Sequence, residues 1–74
     1  MMKNLLQTLR PDLKDKLSLL NDEYPFTAHR IITDLEATNN VYDIKFLTMA
    51  TMQKFLGVNL EDFYFIFEPD VERG

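Results

Sequence analysis

The residues best suited to chemistry are few and scattered. The chain has one histidine, His29, and no cysteine. General-base catalysis needs a histidine with a positioned partner, and no serine or cysteine nucleophile stands at motif spacing from His29. A lone histidine without cysteine cannot form a zinc site. The two glycines provide no phosphate-binding loop. We therefore expect no enzyme activity, no metal, no cofactor and no small-molecule substrate.

Charge is distributed unevenly along the chain, whose net charge is −4. Residues 1–30 contain five Lys or Arg and four Asp or Glu, whereas residues 31–74 contain three against eight. The two parts therefore carry net charges of +1 and −5. Non-specific binding to nucleic acid depends on neutralising phosphates, so this acidity is unfavourable for it. A local basic surface in the first part remains compatible with the composition.

Length and composition indicate one small folded domain. A chain of 74 residues has a single modest core, and its apolar fraction of 46% is typical of a globular protein. No apolar run is long enough to span a bilayer and no signal-peptide pattern is present, so we expect no membrane contact and a cytoplasmic location. We assign residues 1–68 to one helical domain and residues 69–74 to an acidic flexible tail.

Apolar residues recur at helical spacing in the first half, which predicts three helices. The stripe of the first helix is Met2, Leu5, Leu6 and Leu9. A second helix begins at Pro11, because proline is favourable in a first turn, and the alternative is one long helix kinked there. Its stripe is Leu13, Leu17, Leu20 and Tyr24. The third helix begins after an N-cap at Thr27, with Phe26 packing against Ile31. Its buried residues are Ala28, Ile31, Ile32 and Leu35.

The segment 44–56 predicts a fourth helix that is apolar around most of its circumference. Such a helix is normally surrounded by its neighbours, so we expect it to be the central one. Asp43 is its candidate N-cap. Gly57 is expected to end it in the left-handed conformation, and Asn59 to cap a further short helix. Together the segments predict an all-α, compact bundle of four to five short helices.

Residues 63–67, FYFIF, fit either a short helix or an edge strand. Both arrangements leave more apolar faces than one small core covers, and exposed apolar strips mark interfaces. We therefore expect a homodimer interface in this segment. Its residues are Phe63, Phe65, Ile66 and Phe67. The alternative is that Phe65 and Ile66 fold back over Leu6 of the same chain.

A family resemblance covers residues 28–63. The segment 49–63, MATMQKFLGVNLEDF, resembles the end of a lambda-repressor-like helix-turn-helix domain of the Cro/XRE type. In that family a helix ending in Leu-Gly-Val is followed by Ser or Asn, Leu, two acidic residues and an apolar residue. The segment 31–37 resembles the recognition helix with its closing Glu. The chain departs from the family at residues 21–26, where the turn is longer, contains Pro25 and lacks glycine.

The resemblance implies a small DNA-binding transcription regulator, of phage or mobile-element type, acting as a dimer. The third helix would enter the major groove and read bases with His29, Arg30 and Thr33. The phosphate contacts would come from Arg10, Lys14 and Lys16. The alternative is an acidic protein-interaction module, such as an anti-repressor, antitoxin or inhibitor, that does not bind DNA. The net charge favours this alternative, in which the same side chains form the solvated face of a helix.

Overall fold

The computed structural model describes residues 3–68, which form an all-α bundle as the sequence predicts. Its elements are α1 (Leu5–Thr8), α2 (Pro11–Glu23), α3 (Pro25–Glu36), a 3₁₀ helix (Val41–Asp43), α4 (Phe46–Leu56) and a second 3₁₀ helix (Leu60–Phe65). No strand occurs within these residues, although one isolated antiparallel bridge joins Leu9 to Phe67. Met2 and the expected tail, residues 69–74, lie outside the described residues.

The first two helices are separate, as the position of Pro11 predicts. Asn4 and Gln7 form a capping box at the start of α1, in which each side chain accepts the other residue's backbone N–H at 2.9 Å. Leu9 and Arg10 are both extended, with ψ angles of 140° and 145°. Helix α2 then starts at Pro11. The extended pair excludes the alternative of one long kinked helix.

Helix α3 begins three residues earlier than predicted, at Pro25 instead of Ala28. Tyr24 alone separates it from α2, and Pro25 occupies its first position. Proline fixes a helical φ and lacks the N–H that a first turn leaves unsatisfied, so it starts the helix without a side-chain cap. The prediction of an N-cap at Thr27 is therefore wrong. The expected packing of Phe26 on Ile31 is also wrong, because the Phe26 side chain is 91% exposed while Ile31 is fully buried.

The central helix is α3 and not α4. Helix α3 packs against α1, α2 and α4, and Ala28, Ile31 and Leu35 along it are fully buried. Helix α4 has neighbours on one side only, and its buried row is Thr48, Met52 and Leu56. Met49 is partly buried against the core, whereas Phe46, Leu47 and Phe55 are exposed. The apolar circumference of α4 thus reflects an exposed apolar surface.

The corner after α4 matches its prediction. Gly57 has a φ of 69°, in the left-handed region where a residue with a Cβ is strained. Asn59 caps the second 3₁₀ helix, because its side-chain oxygen accepts the backbone N–H of Glu61 at 3.2 Å.

The aromatic segment after this corner closes the bundle. It continues the 3₁₀ helix to Phe65 and then pairs with the α1–α2 junction: Arg10 donates its N–H to the Ile66 carbonyl at 2.9 Å, and Glu68 donates to the Thr8 carbonyl at 2.7 Å. Phe63, Ile66 and Phe67 are buried in the core, so the prediction of an exposed interface is wrong for these three residues. Phe65, at 62% exposed, remains at the surface and does not fold back.

Candidate interaction groove

The three side chains expected to read DNA lie together on the outer face of α3. His29, Arg30 and Thr33 are all exposed, because the opposite face of this helix carries the buried row. His29 and Thr33 are one turn apart, with 3.4 Å between Nε2 and Oγ1. The predicted orientation of these three residues is confirmed, whereas their binding to DNA stays a prediction.

The expected phosphate-binding residues do not join this surface. The Lys14 ammonium donates to the Gln7 carbonyl at 2.8 Å and lines a separate hollow between α2 and α3, beside Leu17 and Ile32. The Lys16 ammonium donates to the Leu56 carbonyl at 3.5 Å, where it offsets the negative end of the α4 dipole. Arg10 is exposed at the start of α2. Two of the three cations are thus engaged within the chain.

A groove of about 780 Å³ runs between α3 and α4. The two helices are antiparallel, because the end of α3 lies beside the start of α4 and the start of α3 lies beside its end. We call this feature the α3–α4 groove. The residues that define it are Phe26, His29, Arg30, Thr33, Ala37 and Leu47.

Large apolar side chains are exposed along both walls of the α3–α4 groove. Phe26 stands on the α3 wall, and Leu47, at 56% exposed, on the α4 wall. The groove continues into a hollow of about 240 Å³ that is lined by Phe26, Arg30 and Phe55, the last 40% exposed. The ring of Tyr24 lies 5.9 Å from that of Phe55, between centroids. The walls therefore present an apolar surface that no other described residue covers.

Two carboxylates accept hydrogen bonds at the end of the groove where α3 ends and α4 begins. Asp34 of α3 accepts the backbone N–H of Lys45, the residue that precedes α4, at 3.0 Å. Asp43 accepts the Thr38 hydroxyl at 3.0 Å instead of capping α4, so its predicted role is wrong. Helix α4 has no side-chain cap, and the Asp34–Lys45 bond joins its start to α3.

The other end of the groove is cationic. Within residues 3–68 the Arg30 side chain has no hydrogen bond or ion pair. The Lys54 ammonium lies 5.4 Å from the centroid of the Phe55 ring, a cation–π distance. The first turn of α3 contains no acidic residue and no side-chain cap. Asp22 and Glu23, which end α2, form no ion pair with either cation.

The described residues offer no alternative site for metal chemistry. No group of three or more His, Cys, Asp or Glu residues between Lys3 and Glu68 is placed to hold a metal ion. Over the same residues, none of the helices has the length and apolar content required to cross a bilayer.

Sequence reasoning missed the apolar walls of the groove. The sequence predicts Phe26 at a helix entry and places the segment 44–56, which includes Leu47 and Phe55, at the centre of the bundle. The signal that could have found them is the excess of apolar residues around α4, since a bundle this small covers one side of a peripheral helix.

No family model, curated protein or solved structure matches this chain.

Proposed function

We propose that the protein is a protein-interaction module whose α3–α4 groove receives a segment of another protein. The observation that carries the proposal is the exposure of Phe26, Leu47 and Phe55 along one continuous groove. Apolar side chains scattered singly over a surface are ordinary, whereas contiguous apolar surface with a polar edge is typical of binding sites. Aromatic side chains are also enriched among the residues that dominate binding energy.

Two further features support the proposal. The groove walls are helices fixed to one another by the Asp34–Lys45 bond, so the site exists before a partner arrives and less ordering entropy is lost on binding. The net charge of −4 disfavours binding to a polyanion. Within this proposal His29, Arg30 and Thr33 form the polar wall that orients the partner.

Site-specific photo-crosslinking tests the proposal in cells that make the protein naturally. In one variant p-benzoylphenylalanine replaces Phe26, and in a control variant it replaces Leu19, which is 66% exposed on α2 and does not line the groove. We expect a discrete crosslinked polypeptide from position 26 and none of that mass from position 19. Adding Leu47→Ser to the first variant should remove the product. Crosslinks of equal pattern from both positions, or none from position 26, would contradict the proposal.

DNA binding is the second candidate function. What favours it is the common exposed face of His29, Arg30 and Thr33 on one helix, together with the resemblance to Cro/XRE-type domains. Because Lys14 and Lys16 are engaged within the chain, binding would depend mainly on Arg30 and on a second copy that doubles the contacts. Phe65 is the remaining exposed candidate for that homodimer contact.

Fluorescence anisotropy with labelled genomic duplexes at low ionic strength tests this second candidate. If DNA is the ligand, affinity should fall with rising salt and should fall about tenfold or more with Arg30→Ala, in line with the 1–3 kcal/mol expected of a base-reading arginine. Lys54→Ala is the control, because this cation lies outside the outer face of α3. The absence of any salt-dependent binding would remove the candidate.

A further inference from the structure

We infer that the occupant of the α3–α4 groove is an amphipathic α-helix of a partner protein, with carboxylates beside its apolar stripe. This inference rests on the proposed function and adds the partner's secondary structure and its charge. It is carried by the helical walls of the groove, by the spacing of the exposed side chains along them, and by Arg30 at one end, which has no ion pair within residues 3–68.

The spacing of the wall residues fits a helix. Leu47, Thr51 and Phe55 follow one another at four-residue intervals on α4, which places them slightly more than one turn, about 6 Å, apart along the axis. Phe26 and Arg30 have the same interval on α3. The side chains of a third helix repeat at this interval too, so its ridges can settle between those of the two walls. From Phe26 to Ala37 the wall is about 16 Å long, which a helix of three turns spans.

An extended peptide has no comparable place to bind. Addition of a strand requires a free sheet edge with unpaired N–H and C=O groups. The bridge between Leu9 and Phe67 is internal, since it pairs two segments of the same chain, and no strand occurs between Lys3 and Glu68. The exposed side chains also stand on helices and present no alternating pockets. The groove thus selects a helix over a strand.

The charge of the occupant follows from the charges around the Phe26–Phe55 end. Arg30 lines both the α3–α4 groove and the hollow that continues it, and within residues 3–68 its side chain has no hydrogen bond or ion pair. The Lys54 ammonium lies beside the Phe55 ring at the same end. The start of α3 adds the positive end of its dipole, with no acidic residue in the first turn to offset it. At the other end Asp34 and Asp43 already accept hydrogen bonds. Carboxylates of the partner therefore belong at the Phe26–Phe55 end.

Selection from a display library of 16-residue peptides tests the inference with the full chain as bait. Peptides that also bind the Phe26→Ser variant are discarded, and circular dichroism checks that this surface variant keeps the fold. We expect enriched peptides to carry apolar residues at i, i+3 or i+4, and i+7, with at least two Asp or Glu residues flanking that stripe. An enriched peptide is then synthesised with a fluorescent label for anisotropy.

Charge reversal separates the role of Arg30 from general electrostatics. Arg30→Glu should lower the affinity for the enriched peptide about fivefold or more, because an exposed ion pair contributes up to about 1 kcal/mol and its reversal adds repulsion. Arg10→Glu makes the same change in net charge on an exposed residue outside the groove, and it should alter affinity less than twofold. Phe26→Ser should lower the affinity for the peptide about tenfold or more.

The outcomes distinguish this inference from the proposed function. Enriched helical peptides that are basic or uncharged, and that still depend on Phe26, would overturn the acidic occupant and leave the groove as a protein-binding site. Enriched peptides with alternating apolar residues would overturn the helix. No enrichment, or binding indifferent to Phe26→Ser, would overturn both. A DNA duplex that displaces the peptide would overturn the inference in favour of the DNA-binding candidate.

Discussion

Replacing Phe63 with alanine is expected to lower the free energy of unfolding by about 3–5 kcal/mol. Phe63 is the largest fully buried side chain, and its ring meets those of Tyr64 and Phe67 edge to face, at centroid distances of 6.5 and 6.0 Å. Truncation removes these contacts and leaves a cavity in the core. A domain of this size has total stability of the same order, so the variant should be largely unfolded.

Phe65→Ala is the matched control, two residues away on the same 3₁₀ helix. Because most of the Phe65 ring is in solvent, the change should alter stability by less than about 0.5 kcal/mol. Urea unfolding followed by far-ultraviolet circular dichroism measures both variants. Equal losses at the two positions would mean that Phe65 is covered, either in the chain or in a homodimer. Sedimentation of Phe65→Ala would then separate these two cases by mass.

Leu35→Ala is expected to cost about 2–5 kcal/mol. Leu35 is fully buried on α3, the helix that contacts α1, α2 and α4, so the cavity would open at the junction of several elements. Alanine has the better helix propensity, and the loss can therefore be assigned to packing. The measurement is again the urea midpoint, with a constant slope indicating that the native state keeps its extent of burial.

Leu19→Ala makes the same chemical change on the surface of α2. It should leave stability within about 0.5 kcal/mol of the unaltered protein, because a largely exposed leucine loses little on truncation. A large loss from Leu19→Ala, or a near-neutral Leu35→Ala, would contradict the assignment of α3 as the central helix. The pair also shows that Leu19 is a safe position for the crosslinking control.

Helix positions were predictable wherever the apolar stripe was narrow. Leu13, Leu17 and Leu20 are buried as predicted, and proline and glycine marked the start of α2 and the end of α4. Such local signals depend on backbone geometry that each residue carries with it. They do not depend on tertiary neighbours, so the sequence alone is enough to predict them.

The orientation of α4 was not predictable, because its apolar residues surround the axis. When almost every direction is apolar, the period of the pattern no longer identifies the buried face. Thr48 is buried and Phe46 is exposed, the reverse of what hydrophobicity alone suggests. The buried face of α4 is determined by where α3 packs against it, which is a property of the tertiary structure. For the same reason the sequence predicts that the α4 wall of the groove is buried, and the groove itself cannot be predicted.

The exposed side chains of the candidate site were predictable from the sequence, whereas the contacts of the surrounding charges were not. The outer face of α3 followed from the buried row opposite to it, so the exposure of Arg30 could be read from the sequence. The engagement of Lys16 with the Leu56 carbonyl could not, since the two residues are far apart in sequence. An electrostatic surface is decided by such long-range partners, and a count of charges does not contain them.

The pairing of residues 8–10 with residues 66–68 also constrains the order in which the protein folds as it is synthesised. Leu9 is translated well before the segment that covers it, because Phe67 lies 58 positions further along the chain (67 − 9). Closing so long a loop is entropically costly and yields its contacts late. The nascent chain must therefore hold Leu9 without this cover until residues 66–68 have left the ribosome. Chaperone contact with the nascent chain is most needed in that interval.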